Sequence, residues 1–146
     1  MNNIKNDKQI SELEQYKYDC EYVKEKKKEL EDLVNDIKDL AERLRFYKDN
    51  NFNVEEYKER LDMMIEKSNV EEKRLLEILE RKQTIEEKIN LLNQPYRNVL
   101  YLKYIRAYTI DEVALNMNYS SKRIYQLHRI ALEKYLEVNG TNISSD

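Results

Sequence analysis

The chain of 146 residues has one glycine, one proline, one cysteine, one histidine and no tryptophan. Each scarcity excludes something. A single cysteine, Cys20, cannot close a disulfide within the chain, and no thiolate cluster exists to hold zinc. One glycine and one proline are too few for the turns that join strands, so an all-α protein is expected. No stretch approaches the ~18 apolar residues needed to cross a bilayer. The opening MNNIKNDKQI lacks the apolar run of a secretory leader. A cytoplasmic protein that leaves membranes alone is the expectation. The lone histidine, His128, has no Gly-flanked serine or second acid arranged beside it for a triad, and is expected at a rim or on a phosphate. Glycine-rich phosphate cradles and metal-ligand motifs are missing too. An enzyme is therefore not expected, nor a cofactor, nor a metal.

What the chain does have is charge. Charged residues make up 38 % and hydrophobic residues 40 %, a balance that suits long solvated helices carrying one apolar stripe. Such a stripe runs through Leu13, Tyr16, Cys20, Val23, Lys27, Leu30, Val34, Ile37, Ala41 and Leu44, with Lys27 the one exception. Its spacing of three and four places these residues on one helix face, and Leu33 and Leu40 widen it. The pattern stops at the polar cluster Asp49 to Asn53, where Asn53 reads as an N-cap with Glu56 at the third helical position. A second stripe runs from Val54 to Leu92. Ser68 and Glu71 interrupt it, and Ser68-Asn69-Val70-Glu71 has the pattern of a capping box, so the helix either breaks there or runs on. Helices over about 8–48 and 54–91 are expected, each ~60 Å long. Together they make a coiled-coil stalk, residues 1–91. It either folds on itself as an antiparallel hairpin or pairs between copies as a homo-oligomer.

Net charge is −3 but unevenly spread. Between Asn93 and Val138 seven basic residues stand against four acidic ones, a local +3 that leaves −6 for the rest. A basic unit on an acidic stalk is the electrostatic outline of a nucleic-acid-binding module.

That unit, residues 92–138, has the spacing of a helix-turn-helix. Pro95 suits the first turn of a packing helix that carries Val99, Leu100, Leu102, Tyr104 and Ile105. Thr109 with Glu112 three residues on forms a capping box. Ile110, Val113, Ala114 and Met117 point inward, and Ala114 is small enough for a close crossing. Asn118 tolerates the positive φ of a sharp turn, and Ser120 is a good N-cap for the next helix. Ile124, Leu127 and Ala131 are that helix's buried side. In this motif the second helix enters the major groove of double-stranded DNA. Residues 139–146 are expected to be a disordered tail.

The residues also resemble a known family. LNQPYRNVLYLKY, from Leu92 to Tyr104, resembles the helix that opens region 4 of bacterial sigma factors. Thr109 to Ala114 (TIDEVA) and Ser120 to Leu132 (SSKRIYQLHRIAL) resemble its next two helices. The run from Tyr119 through Lys134 is more similar still to phage-encoded sigma-region-4-like regulators of the ArpU and RinA kind. The resemblance covers about residues 92–137. It implies a sequence-specific transcriptional regulator, phage or prophage encoded, acting on late promoters with bacterial RNA polymerase in the host cytoplasm. Departures are Asn118 where glycine is usual, and Ser121 and Tyr125 where many sigma factors carry arginine. The stalk has no aromatic-rich helix of the kind that opens a promoter, so this is not a complete sigma factor.

With Ile124 and Leu127 inward, Ser121, Lys122, Tyr125, Gln126 and Arg129 face out. Glutamine can read adenine through two bonds, lysine can reach guanine or a phosphate, and Tyr125 a thymine methyl or a phosphate. Arg123, Thr109 and Ser120 are expected on phosphates, helped by backbone N–H groups at the helix starts. Two other classes fit the same outline. One is a phage small terminase subunit, which also joins a helix-turn-helix to a coiled coil. The other is a protein-interaction module with a vestigial helix-turn-helix.

Overall fold

A computed structural model describes residues 2–138; the expected disordered tail lies outside the described residues. The protein is all-α, with no strand among the described residues. Helix α1 spans Asn2–Asp49 and α2 spans Glu55–Asn90. A short α3, Tyr96–Leu100, runs on into a π-helical turn, Tyr101–Ile105. Then come α4, Ile110–Met117, and α5, Ser121–Glu137.

The residues group into two compact units. One unit joins Met1–Cys20 to Glu80–Asp146; the other is Glu21–Leu79. The reason is a core that needs both ends of the chain. Leu13 and Tyr16 of α1, Ile85 and Ile89 of α2, Leu92, Leu100, Tyr104, and Ala131 and Tyr135 of α5 form one buried cluster. Three polar links pin α1 against α2 beside it. Arg81 donates twice to the buried Asp19 carboxylate, at 3.0 and 2.8 Å. The Tyr16 hydroxyl donates to Glu86. Lys88, buried, donates to Gln9 at 3.0 Å and lies 4.0 Å from the centre of the Tyr135 ring. Burial lowers the Lys88 pKa.

In the Glu21–Leu79 unit α1 and α2 run antiparallel, joined by a turn in which Asn51 takes φ 64°. Asn53 accepts from the amide of Glu55, the first residue of α2, at 3.2 Å, one residue short of the Glu56 pairing that the sequence suggests. Tyr47 packs its ring against Phe46, Phe52 and Tyr57 and closes this end. Only Leu40 and Leu75 are buried along the shared stripe; Leu30 and Ile37 are half-buried.

One alternative left open for these helices is settled, and one expectation needs correction. First, α2 runs unbroken through Ser68, in line with the helix expected over about 54–91. The Ser68 hydroxyl donates to the Ile65 carbonyl at 3.0 Å, one turn back, which satisfies the side chain inside a continuous helix. Second, the inner face of α1 takes Leu33 and Leu40, leaving Lys27 and Val34 exposed. This choice keeps both leucines inward and spares the lysine burial.

Candidate nucleic-acid interface

The helix-turn-helix region is built from local signals. Thr109 accepts from the Glu112 amide at 3.2 Å while the Glu112 carboxylate accepts from the Thr109 amide at 3.2 Å, a complete capping box. Asn118 ends α4 in the left-handed region, φ 61° and ψ 39°, and sends its N–H to the Ala114 carbonyl. Ser120 caps α5 by accepting from the Arg123 amide at 3.1 Å. Behind them Val99, Val113, Ala114, Ile124 and Leu127 form a second buried cluster, flanked by Tyr96, Leu102, Tyr108, Ile110 and Met117. Ala131 belongs to the first cluster instead, so α5 touches both cores.

Fixing Ile124 and Leu127 inward leaves Lys122, Arg123, Tyr125, Gln126 and Arg129 exposed. Lys122, Tyr125, Gln126 and Arg129 line one shallow hollow of about 500 Å³. Tyr125 is 61 % exposed, a flat apolar surface between two cations. Arg123 reaches the Gln126 side-chain oxygen at 3.4 Å, a long bond that leaves the Gln126 amide nitrogen turned away from the arginine. Thr109 and Ser120 are exposed, and each hydroxyl accepts a capping bond. A hydroxyl that accepts keeps its own proton, so both can still donate to a phosphate oxygen.

Ser121 departs from expectation. It is half-buried, and its hydroxyl donates to Asp111 at 2.6 Å. The bond ties the first turn of α5 to the first turn of α4. It spends the only proton Ser121 could offer a base, and it sets a carboxylate beside the α5 start. Asp111 had no distinguishing spacing in the sequence. Leu115, on the outer side of α4, is 81 % exposed.

His128 is half-buried. Its Nε2 lies 2.7 Å from the Tyr104 hydroxyl, with the two rings stacked 5.7 Å apart. Burial pushes the Tyr104 phenol up to about 12, so it is the donor at neutral pH. Burial, and then the charge of Lys103, hold the His128 pKa below its ordinary value, so the imidazole is the neutral acceptor. The pair ties the π-helical turn to α5. Cys20 is a free thiol, packed at the edge of the first cluster. Among the described residues no group of three or more His, Cys, Asp or Glu is placed to hold a metal. Nor is any helix among them long and apolar enough to cross a membrane.

One family model matches residues 56–137, more than half of the chain. The chain belongs to the DUF1492 family. The family is described as a protein of unknown function. The DUF1492 match opens one residue into α2 and closes on the last residue of α5, so it takes in the helix before the helix-turn-helix as well. No curated protein and no solved structure matches the chain.

Proposed function

We propose that the protein is a sequence-specific DNA-binding transcriptional regulator that lays α5 in the major groove. The observation that carries the reading is the exposed row Lys122, Tyr125, Gln126 and Arg129, held outward because Ile124 and Leu127 lock the opposite side of α5. A helix presenting a cation, an amide and an aromatic ring at successive turns has the chemistry to reach base edges and phosphates together. Lys122 and Gln126 carry sequence choice. Arg123 and Arg129, with the Thr109 and Ser120 hydroxyls, carry affinity for the backbone. The Asp111–Ser121 bond is a brace in this picture and contacts no base.

The resemblance to sigma region 4 supplies the setting: a phage or prophage protein acting on late promoters beside bacterial RNA polymerase, inside the host cell. Chromatin pull-down and sequencing in that cell tests the setting. Enrichment at late promoters supports it. Enrichment at packaging sites instead favours a terminase-like role. The absence of any enriched DNA, together with no binding to duplex at low salt, overturns DNA binding altogether.

A further inference from the structure

The lining of the hollow on the outer side of α5 is Lys122, Tyr125, Gln126 and Arg129, with no carboxylate in it. Asp111 is engaged by Ser121, and Glu133 stands one turn beyond Arg129. Lys122 and Arg129 lie seven residues apart, ~10 Å along the helix, so a cation stands at each end and an uncharged pair between them. The Tyr125 ring is 61 % exposed. Phe46, Phe52 and Tyr57 are exposed too, but pack on Tyr47; among the described residues the Tyr125 ring packs on no other ring. Gln126 is oriented by Arg123. A guanidinium only donates, so the amide end that faces it is the oxygen, 3.4 Å from the Arg123 Nη1. The free end of Gln126 is then Nε2, a donor. On adjacent residues α5 therefore offers a donor and an apolar ring.

Each base shows a different edge in the major groove. Adenine shows an acceptor and a donor, and takes both ends of a glutamine. Guanine shows two acceptors, and cytosine a donor. Thymine alone shows an acceptor, O4, beside a methyl group. We infer that Tyr125 and Gln126 together read one thymine, with Nε2 of Gln126 donating to O4 and the Tyr125 ring covering the C5 methyl. The positive charge of Lys122 and Arg129 draws the duplex onto this face. The inference rests on α5 lying in the major groove, and it makes Tyr125 a residue of base choice.

The test is fluorescence anisotropy of the full chain on a duplex selected from random sequence, at the position where Gln126→Ala relaxes preference. Thymine is expected there. Deoxyuridine in its place removes the methyl alone and should weaken wild-type binding about fourfold, the worth of one buried methyl group. Tyr125→Ala should bind the two duplexes alike. Tyr125→Phe, which keeps the ring and loses the hydroxyl, should still tell them apart. Placing 5-methylcytosine there keeps the methyl and turns the acceptor into a donor. That change should weaken the wild type about tenfold or more, and Gln126→Ala far less. Both side chains are exposed, so circular dichroism of each variant should match the wild type. Indifference of the wild type to deoxyuridine or to 5-methylcytosine overturns the inference and leaves DNA binding standing. So does a G·C pair at that position, or no position relaxed by Gln126→Ala. A methyl preference that survives Tyr125→Ala, or is lost in Tyr125→Phe, overturns it equally. No sequence-selective binding to any duplex overturns both the inference and the proposed function.

Discussion

The two units of this molecule use the same pair of helices in opposite ways. In the unit that joins Met1–Cys20 to Glu80–Asp146, α1 and α2 are two walls of a core completed by α3, the π-helical turn and α5. Leu13, Val99, Leu100, Ile124 and Ala131 have no exposed surface at all. Asp19 and Lys88, both buried, find partners. In the Glu21–Leu79 unit the same helices meet only each other. Two side chains are buried there, and Tyr22 and Glu71 each keep a buried oxygen without a partner. A helix pair becomes a tight scaffold where a third layer covers it and stays a loose ribbon where none does. The tight region is the one that holds α5 in place.

Excision sharpens this contrast most. Replacing residues 21–79 with a short flexible linker should leave the first unit folded, because the Asp19–Arg81 pair already holds the cut ends close. Deleting residues 1–20 instead strips Leu13 and Tyr16 from the core and should abolish cooperative unfolding. Thermal unfolding followed by circular dichroism separates the two, and equal losses would break the comparison.

Single substitutions come next. Leu127→Ala, in a site with almost no exposure, should cost about 2–5 kcal/mol by cavity formation. Leu30→Ala removes a half-buried side chain and should cost about 1 kcal/mol. Urea denaturation of both variants reads the difference. Equal costs would mean that the second unit is better covered than the single chain shows.

A smaller effect is pH. Burial holds the folded His128 pKa below its ordinary 6.5, so protonation favours the unfolded chain. The stabilising contribution of neutral His128 is present above about pH 6.5 and is lost as pH falls below it. The urea midpoint of the wild type should therefore drop between pH 7.5 and 5.5 more steeply than that of His128→Gln. Parallel profiles would remove the Tyr104–His128 pair from the stability of the first unit.

What could be read from the sequence was what is local in it. Thr109 with Glu112, Asn118, and Ser120 with Arg123 each act within three or four residues, and spacing alone placed them. The apolar positions of α4 and α5 followed, because an amphipathic helix declares its buried side by period. The Asp19–Arg81 pair, the Tyr104–His128 bond and the Asp111–Ser121 brace join residues 62, 24 and 10 apart, and no period encodes them. The face of α1 was ambiguous because Leu33 and Val34 are adjacent, as are Leu40 and Ala41. A heptad stripe can turn to either member of such a pair. The π-helical turn at Tyr101–Ile105 also had no signal in the residue pattern.

The central claim is that α5 reads DNA with the side opposite Ile124 and Leu127. Fluorescence anisotropy of the full chain tests it most directly, on a duplex selected from random sequence and on a scrambled duplex, across a salt series. Gln126→Ala should cost about 1–3 kcal/mol on the selected duplex and little on the scrambled one. Arg129→Ala should weaken both alike and lower the salt slope by about one phosphate contact. Equal losses on both duplexes for Gln126→Ala, or no salt-sensitive binding by the wild type, would contradict the account.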